Sequence, residues 1–245
     1  FRNKNTPESI FEVQRTYTAG GLAVTTNVAA ICTPSHNGKG IYDGVEIPEM
    51  GTGMTTWTSM RPNSYFCDGL QTKKGNDKRK TLNMAWEYDG KPFSNVGTRP
   101  WLGPKFWCPG MQNTADFNNQ KIFRYADAVL MMSECYAEQE NIDESIRYLN
   151  MVKERAGLAP YTFKNIESLM EEIQKERGRE LLGEFQRKFD LVRWGIWYQM
   201  TYDYTNYSTL KENMLPCHEY YPIPDKEVVY SGGALDNKAY NEYGM

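Results

Sequence analysis

The chain has 245 residues, of which 40% are hydrophobic and 24% charged, so it is long enough for one large domain or two modest ones. Its net charge of −3 at pH 7 provides no field that would hold a polyanion, which argues against nucleic acid as a partner. The sequence has no run of 18 apolar residues and no recognisable signal peptide or lipobox. It opens at Phe1 without a Met, which we interpret as an interior start.

Aromatic residues are abundant, with 17 Tyr, 10 Phe and 6 Trp. Tyr and Trp combine an apolar face with a polar edge, which suits sugar and peptide ligands. Composition alone, however, favours a large core over a binding surface.

Five cysteines are present without a CxxC pair, a pattern that predicts neither a zinc site nor a dense disulfide framework. Cys135 falls on the apolar side of a predicted helix, so we expect a buried free thiol there. A single disulfide bond among Cys32, Cys67, Cys108 and Cys217 is an alternative that the sequence leaves undecided.

Residues 1–118 are rich in Gly, Pro, Thr and Asn and show little helical periodicity. Alternation over residues 9–14 predicts a strand, and a helical turn is expected around residues 63–69. The remainder resembles long loops of the kind that carry function. We interpret the basic run 78–80 as part of a solvated loop.

Residues 119–200 have helical periodicity. Apolar positions from Ile122 to Tyr136 predict one helix, and Asn141 with Glu144 predicts the start of a second that stops at Gly157. Two such helices form an antiparallel hairpin of the tetratricopeptide kind, which needs packing partners to bury its apolar faces.

A third helix is expected over about residues 166–183 and a fourth over about 185–198. Arg177, Glu180 and Glu184 continue an apolar seam, and charges in a seam are costly to bury unless they are paired. We therefore predict a structural ion network that also uses Arg187 or Arg193. A catalytic carboxylate pair is the alternative, but nearby arginines would keep both groups ionised, whereas a general acid needs a raised pKa.

The tail has extended character, because residues 220–224 (YYPIP) cannot form a helix interior. A turn is expected at residues 230–233.

Several segments of the helical half and the tail resemble motifs of the SusD/RagB family of outer-membrane nutrient-binding lipoproteins. The matching segments are RYADAVLMMSE at 124–134, LNMVKERAGL at 149–158, ERGREL at 176–181, FDLVRWG at 189–195, YPIP at 221–224 and LDNKAY at 235–240. Weaker likenesses lie upstream, at 8–13, 61–65 and 77–79. The chain departs from the family pattern at residues 185–186, where Phe-Gln replaces Gly-His, and at 238–239, where Lys-Ala replaces Pro-Gly.

The resemblance implies a mainly α, SusD-like fold in which tetratricopeptide-type hairpins pack against a loop-rich lobe with short strands. On this interpretation residues 1–118 form the ligand-recognition lobe, residues 119–200 the helical scaffold and residues 201–245 an extended segment that packs back on the scaffold. All three belong to one domain whose N-terminal half is missing from this chain.

The resemblance also implies a function. We expect a lipoprotein of the outer membrane that faces the cell surface, with a lipid anchor outside this chain. It would capture an oligosaccharide or polysaccharide and deliver it to a SusC-like, TonB-dependent transporter. The alternative keeps the fold and partner but changes the cargo to peptides or glycoconjugates. Neither enzymatic activity nor a cofactor is expected.

Sugar rings stack on aromatic faces while their hydroxyls need polar partners, so the candidate ligand residues are aromatic and polar side chains of the lobe. They are Trp57, Arg61, Asn63, Tyr65, Trp101 and Trp107. Trp57 is the strongest candidate, because small residues surround it in sequence, whereas one of Trp101 and Trp107 is expected to pack into the lobe. His36 and His218 lack the spacing of a metal site or triad. Binding of a calcium ion is an alternative that the sequence leaves undecided, although it contains no EF-hand pattern.

Overall fold

The computed structural model describes residues 3–18, 21, 23–34, 40–47, 55–95 and 98–244. The fold is mainly helical, which confirms the expected class. The chain divides into two compact units, residues 1–187 and residues 188–245.

Ten α-helices occur in the described residues. They are α1 (Val28–Cys32), α2 (Lys80–Asn83), α3 (Tyr125–Glu138), α4 (Ile142–Arg155), α5 (Ile166–Glu180), α6 (Arg187–Arg193), α7 (Trp197–Tyr204), α8 (Ser208–Asn213), α9 (Asp225–Tyr230) and α10 (Lys238–Asn241). A π-helical turn spans Tyr65–Leu70, and 3-10 turns span Phe93–Asn95, Pro104–Phe106 and Pro216–Glu219.

Ten short strands occur in the same residues, all of them paired antiparallel. They are β1 (Ser9–Val13), β2 (Thr16–Tyr17), β3 (Ala23–Val24), β4 (Ile41–Tyr42), β5 (Val45–Glu46), β6 (Met84–Ala85), β7 (Glu87–Tyr88), β8 (Lys91–Pro92), β9 (Trp101–Leu102) and β10 (Gln120–Arg124). The four-stranded sheet has the order β5-β4-β7-β8, and β1-β10, β2-β3 and β6-β9 form two-stranded sheets.

The helices α3 and α4 form the predicted antiparallel hairpin, and α5 packs against both. Their shared core consists of Val129, Leu130, Ala137, Leu149, Val152, Leu169 and Ile173. Two fully buried serines join α3 to α4, since each hydroxyl donates to the other residue's carbonyl at 2.8 Å, from Ser133 to Ser145 and from Ser145 to Ser133. Small residues with satisfied hydroxyls allow these two helices to approach closely.

The start of the first predicted helix is corrected. Ile122 belongs to strand β10, and Arg124 keeps an extended backbone, so α3 begins only at Tyr125. Strand β10 pairs with β1, which confirms the strand expected over residues 9–14. Cys135 is exposed, so the prediction of a buried thiol there was wrong, because the face of α3 that packs on α4 and α5 is the one carrying Val129 and Leu130. All five cysteines are free thiols.

The fourth predicted helix is two helices. Gly195 adopts a φ of +69°, a left-handed conformation that ends α6 and separates it from α7. The third helix ends at Glu180, three residues before its predicted end.

The prediction of an extended tail was wrong for most of residues 201–245, which form α8, α9, α10 and a 3-10 turn. It was correct for residues 220–224, which are not helical. There the amide of Asn237 takes the place of a strand partner. Its Oδ1 accepts from the backbone N–H of Ile223 and its Nδ2 donates to the Ile223 carbonyl, both at 2.8 Å.

Glu180, at the end of α5, is the centre of a buried ion network. Its Oε1 accepts from Arg124 and from Arg155, each at 2.6 Å, and its Oε2 accepts from Arg79 at 2.7 Å. The three arginines come from strand β10, from the end of α4 and from the lobe. One carboxylate therefore ties three separate segments of the chain together.

Further carboxylates compensate the same cations. Arg124 makes a two-pronged contact with Glu184, at 2.7 Å from Nε and 2.9 Å from Nη2, and Lys105 donates to Glu184 at 2.6 Å. In the lobe, Arg79 donates through Nε and Nη2 to the two carboxylate oxygens of Asp77, and it also donates to Glu176 at 2.8 Å. Buried charges that are paired on all sides in this way avoid the cost of an uncompensated ion.

The predicted network around Glu180 and Glu184 is thus present, and its cations include Arg79, Lys105, Arg124 and Arg155, which the sequence did not indicate. Arg177 pairs with Asp127 at 2.9 Å, Arg187 donates to the carbonyl of Gln174, and Arg193 pairs with Asp190. The interpretation of residues 78–80 as a solvated loop also fails for Arg79, whose side chain is only 12% exposed because three carboxylates surround it.

We expect Glu180→Gln to lower the free energy of unfolding by about 3–5 kcal/mol, because it leaves the largely buried guanidinium groups of Arg79 and Arg124, and the half-exposed one of Arg155, short of an anion. The matched control is Glu171→Gln on the same helix, where the side chain is 63% exposed and pairs only with Lys175. That change is expected to stay within about 0.5 kcal/mol. Denaturant unfolding measures both, and equal effects would contradict the structural role of Glu180.

Candidate functional site

Four aromatic rings form the core of the lobe. Trp107 packs edge-to-face against Tyr42 and Tyr88, with centroids 5.1 and 5.8 Å apart, and Tyr88 packs in the same way against Trp101 at 6.3 Å. Strands β4, β7 and β9 hold three of these rings, so the short sheets serve to position aromatic side chains.

This arrangement corrects the ligand assignment of Trp101 and Trp107. Trp107 is fully buried and its indole N–H donates to the carbonyl of Leu102 at 2.9 Å, while Trp101 is only 6% exposed. A ring whose faces are covered by other rings has no surface on which a sugar could stack. Both tryptophans pack into the lobe, where only one of them was expected to do so.

Arg61 covers the buried aromatic core from outside. Its guanidinium lies 5.6 Å from the centroid of the Trp101 ring and donates to the carbonyl of Arg99 at 3.0 Å. The side chain of Arg99 in turn donates to the carbonyl of Pro62, the residue after Arg61, at 3.1 Å. These contacts hold Arg61 in one place with part of its surface open to solvent.

Asn63 and Tyr65 lie at the start of the π-helical turn. The Oδ1 of Asn63 accepts from the backbone N–H of Phe66 at 3.1 Å, which caps the turn and confirms the helical turn expected here. Tyr65 is half-buried. This bond gives Asn63 a structural role at the start of the turn.

Trp57 is 47% exposed, and its backbone is firmly tethered. Its N–H donates to the carbonyl of Ala30 at 2.7 Å, and Met60 N–H donates to the carbonyl of Ile31 at 3.0 Å. The neighbouring hydroxyls of Thr56 and Thr58 donate to the carbonyls of Pro34 and Thr33. The segment thereby satisfies the carbonyls that the end of helix α1 leaves free.

Thr58 adds a strained backbone beside this ring. Its φ of +52° lies in the left-handed region, which β-branched residues rarely adopt. Strain of this kind persists where the surrounding bonds enforce it, and it occurs often at ligand sites. Trp57 is therefore a half-exposed ring on a fixed backbone, although the glycines expected to flank it at 51 and 53 lie outside the described residues.

A second feature was not predicted from the sequence. A cleft of about 530 Å³ opens beside the ion network, with a lining that includes Lys78, Arg79, Lys105, Arg124 and Arg155. Its one acidic lining residue is Glu180. The signal that could have located these cations is the buried acidic seam of α5, because carboxylates at such positions require cations from other segments.

The electrostatics of the cleft do not suit acid–base catalysis. Burial favours the neutral form of Glu180, but the guanidinium groups of Arg124, Arg155 and Arg79 outweigh it and hold the pKa of that carboxyl well below its usual range. A carboxyl that stays ionised cannot serve as a general acid at neutral pH. Glu180 and Glu184 therefore have structural roles here.

In the part of the chain that the structure describes, no group of three or more His, Cys, Asp or Glu residues could hold a metal ion, and no helix is long and apolar enough to cross a bilayer. His218 accepts at Nδ1 from the backbone N–H of Leu215. His36 lies outside the described residues.

Comparison with known proteins matches the profile of the SusD family to residues 101–240. A SusD-like protein from Formosa agariphila is 34% identical over 175 residues, which cover 68% of this chain and 32% of that relative. The chain therefore spans about a third of the length of this curated relative.

Solved structures show the same fold. A SusD superfamily protein from Bacteroides vulgatus is 27% identical, with a TM-score of 0.61 over 92% of this chain and 49% of its own. Surface glycan-binding protein A from Bacteroides thetaiotaomicron, solved in complex with laminarihexaose, is 20% identical, with a TM-score of 0.64 over 94% of this chain and 51% of its own. The chain thus corresponds to about half of each structure.

We expect Trp107→Ala to destabilise the protein by about 3–5 kcal/mol, because it empties the centre of the lobe core. Trp57→Ala should change the free energy of unfolding by no more than about 0.5 kcal/mol, because its ring is half-exposed. Denaturant unfolding of the two variants checks this contrast. A large loss of stability in Trp57→Ala would show that the ring is a packing element and not an available surface.

Proposed function

This chain belongs to the SusD family, and we propose from this membership that it is part of a cell-surface protein that captures oligosaccharides without altering them. Surface glycan-binding protein A from Bacteroides thetaiotaomicron has the same fold, and one of its structures contains laminarihexaose. The resemblance between the chain's motifs and the family pattern supports the same conclusion.

The half-exposed, tethered ring of Trp57 is the single observation in this chain that carries the proposal. A sugar presents C–H groups on its ring face, and an immobilised indole offers an apolar surface to them at little entropic cost. Arg61, on the surface of the same lobe, is a partly exposed cation held by Arg99 and Trp101. Together these features favour reversible binding.

Binding without chemistry is consistent with the carboxylates of the chain. Glu180 and Glu184 are the two carboxylates that the sequence suggested as a catalytic pair, and both are engaged by cations. Because the pKa of Glu180 is held low, Glu180 has no proton to donate at neutral pH. The proposal is therefore a binding protein and not a glycosidase.

The finer parts of the proposal come from the family resemblance. They are delivery of the glycan to a SusC-like, TonB-dependent transporter and attachment to the outer membrane through a lipid anchor that lies outside this chain. Capture of peptides or glycoconjugates by the same fold is the competing outcome, which a ligand screen separates from glycan capture.

We expect the full-length protein to bind a defined glycan on an array, and Trp57→Ala to weaken that binding about tenfold in a titration, because one stacking contact is lost. The matched control is Phe163→Ala, which removes another ring of similar exposure, 43%, from the α4–α5 connection. That variant should bind like the unmodified protein. If the protein bound no glycan on the array but did bind a peptide pool, glycan capture would be contradicted.

A further inference from the structure

We propose that the cleft beside Glu180 binds an acidic group of the glycan, so that the ligand is an anionic oligosaccharide carrying uronate carboxylates or sulfate esters. This inference rests on the proposed function and specifies its substrate class. It places a second contact on the chain, separate from the exposed ring of Trp57.

The lining of the cleft has a surplus of positive charge. Among the described residues, the lining has the basic side chains of Lys78, Arg79, Lys105, Arg124 and Arg155 and one acidic side chain, that of Glu180. Both oxygens of Glu180 accept from arginines at 2.6–2.7 Å, so its negative charge is compensated by adjacent cations. An anion entering the cleft would therefore meet cations.

Three of these cations are paired with carboxylates that do not belong to the lining of the cleft, namely Asp77, Glu176 and Glu184. Lys105 and Arg124 are held by Glu184, and Arg79 is held by Asp77 and Glu176. These pairs fix the wall of the cleft and leave little net charge to attract a ligand. The charge available to a ligand must come from the two remaining cations.

Lys78 and Arg155 are those cations. Lys78 is exposed, and within the residues that the structure describes no hydrogen bond or ion pair engages its ammonium group. Arg155 donates to Glu180 through Nη2 at 2.6 Å, and its Nη1 lies 3.7 Å from a carboxylate oxygen of Glu8, yet 49% of its side chain stays exposed to an incoming ligand. A carboxylate or sulfate oxygen in the cleft could accept charge-assisted hydrogen bonds from both Lys78 and Arg155.

The backbone and a glycine set the position of Lys78. Its N–H donates to the carbonyl of Ala156 at 2.9 Å, and its aliphatic stem lies against Gly157. A Cβ atom on Gly157 would come within 2.8 Å of the Lys78 Cε, so the lysine stem occupies space that the glycine leaves open.

The remaining walls suit a sugar ring. Leu82 and Pro104 provide apolar surface and Asn83 also lines the cleft, while the volume of about 530 Å³ falls in the range of small-ligand sites. A pyranose with an acidic substituent presents both an apolar ring face and a negative group. The cleft offers a complementary surface to each.

The test is a calorimetric titration of the full-length protein with two matched pairs of oligosaccharides. The first pair is tetragalacturonate and its neutral methyl ester, and the second is a sulfated galactan oligosaccharide and its desulfated form. We expect the acidic member of at least one pair to bind at least tenfold more tightly than its neutral match, with an affinity that falls as salt rises. The pair that responds identifies the carboxylate or the sulfate as the recognised group.

Two variants locate the contact. Lys78→Gln should weaken the acidic ligand about tenfold, whereas Lys74→Gln, which removes an exposed lysine outside the lining, should leave the affinity within about twofold. Equal binding of acidic and neutral ligands, or equal effects of the two variants, would overturn the inference. If neutral glycans then still bound and Trp57→Ala still weakened them, the proposed function would stand without this cleft. If neither acidic nor neutral glycans bound, both proposals would fail.

Discussion

Compensation of the buried carboxylate of Glu180 is the constraint on which the rest of this structure depends. Its partners Arg79, Arg124 and Arg155 belong to the lobe, to strand β10 and to helix α4, so the carboxylate is satisfied only when all three segments are in place. Apolar packing could tolerate small shifts among them. A buried ion network cannot, because each displaced partner leaves an uncompensated charge.

The same network connects the scaffold to both candidate binding features. Lys105, which pairs with Glu184, follows the strand that carries Trp101, and Trp101 in turn supports Arg61 on the surface of the lobe. The cleft is lined directly by the network's own cations. Residues that stabilise the fold thus also shape both proposed binding surfaces.

Much of the scaffold could be predicted from the sequence, because the apolar positions of α3, α4 and α5 repeat at helical spacing and the family motifs cover them. Tertiary partners were harder to predict. Arg79 belongs to a polar run typical of a loop, and only the distant carboxylates of α5 bury it. Likewise, the burial of Trp101 and Trp107 depends on short strands with no sequence periodicity, whereas the exposure of Trp57 could be anticipated from its small neighbours.

Native-state hydrogen exchange of the full-length protein tests most directly whether the network makes the lobe and the helices one cooperative unit. The informative amides are those of Leu82, Asn83 and Gly103 in the lobe and Leu181 at the end of α5, all of which donate to backbone carbonyls. The account predicts that all four exchange with one common opening free energy, equal to that of the α3 amides. Opening of the lobe amides at a clearly lower free energy, while the helical amides stay protected, would contradict it.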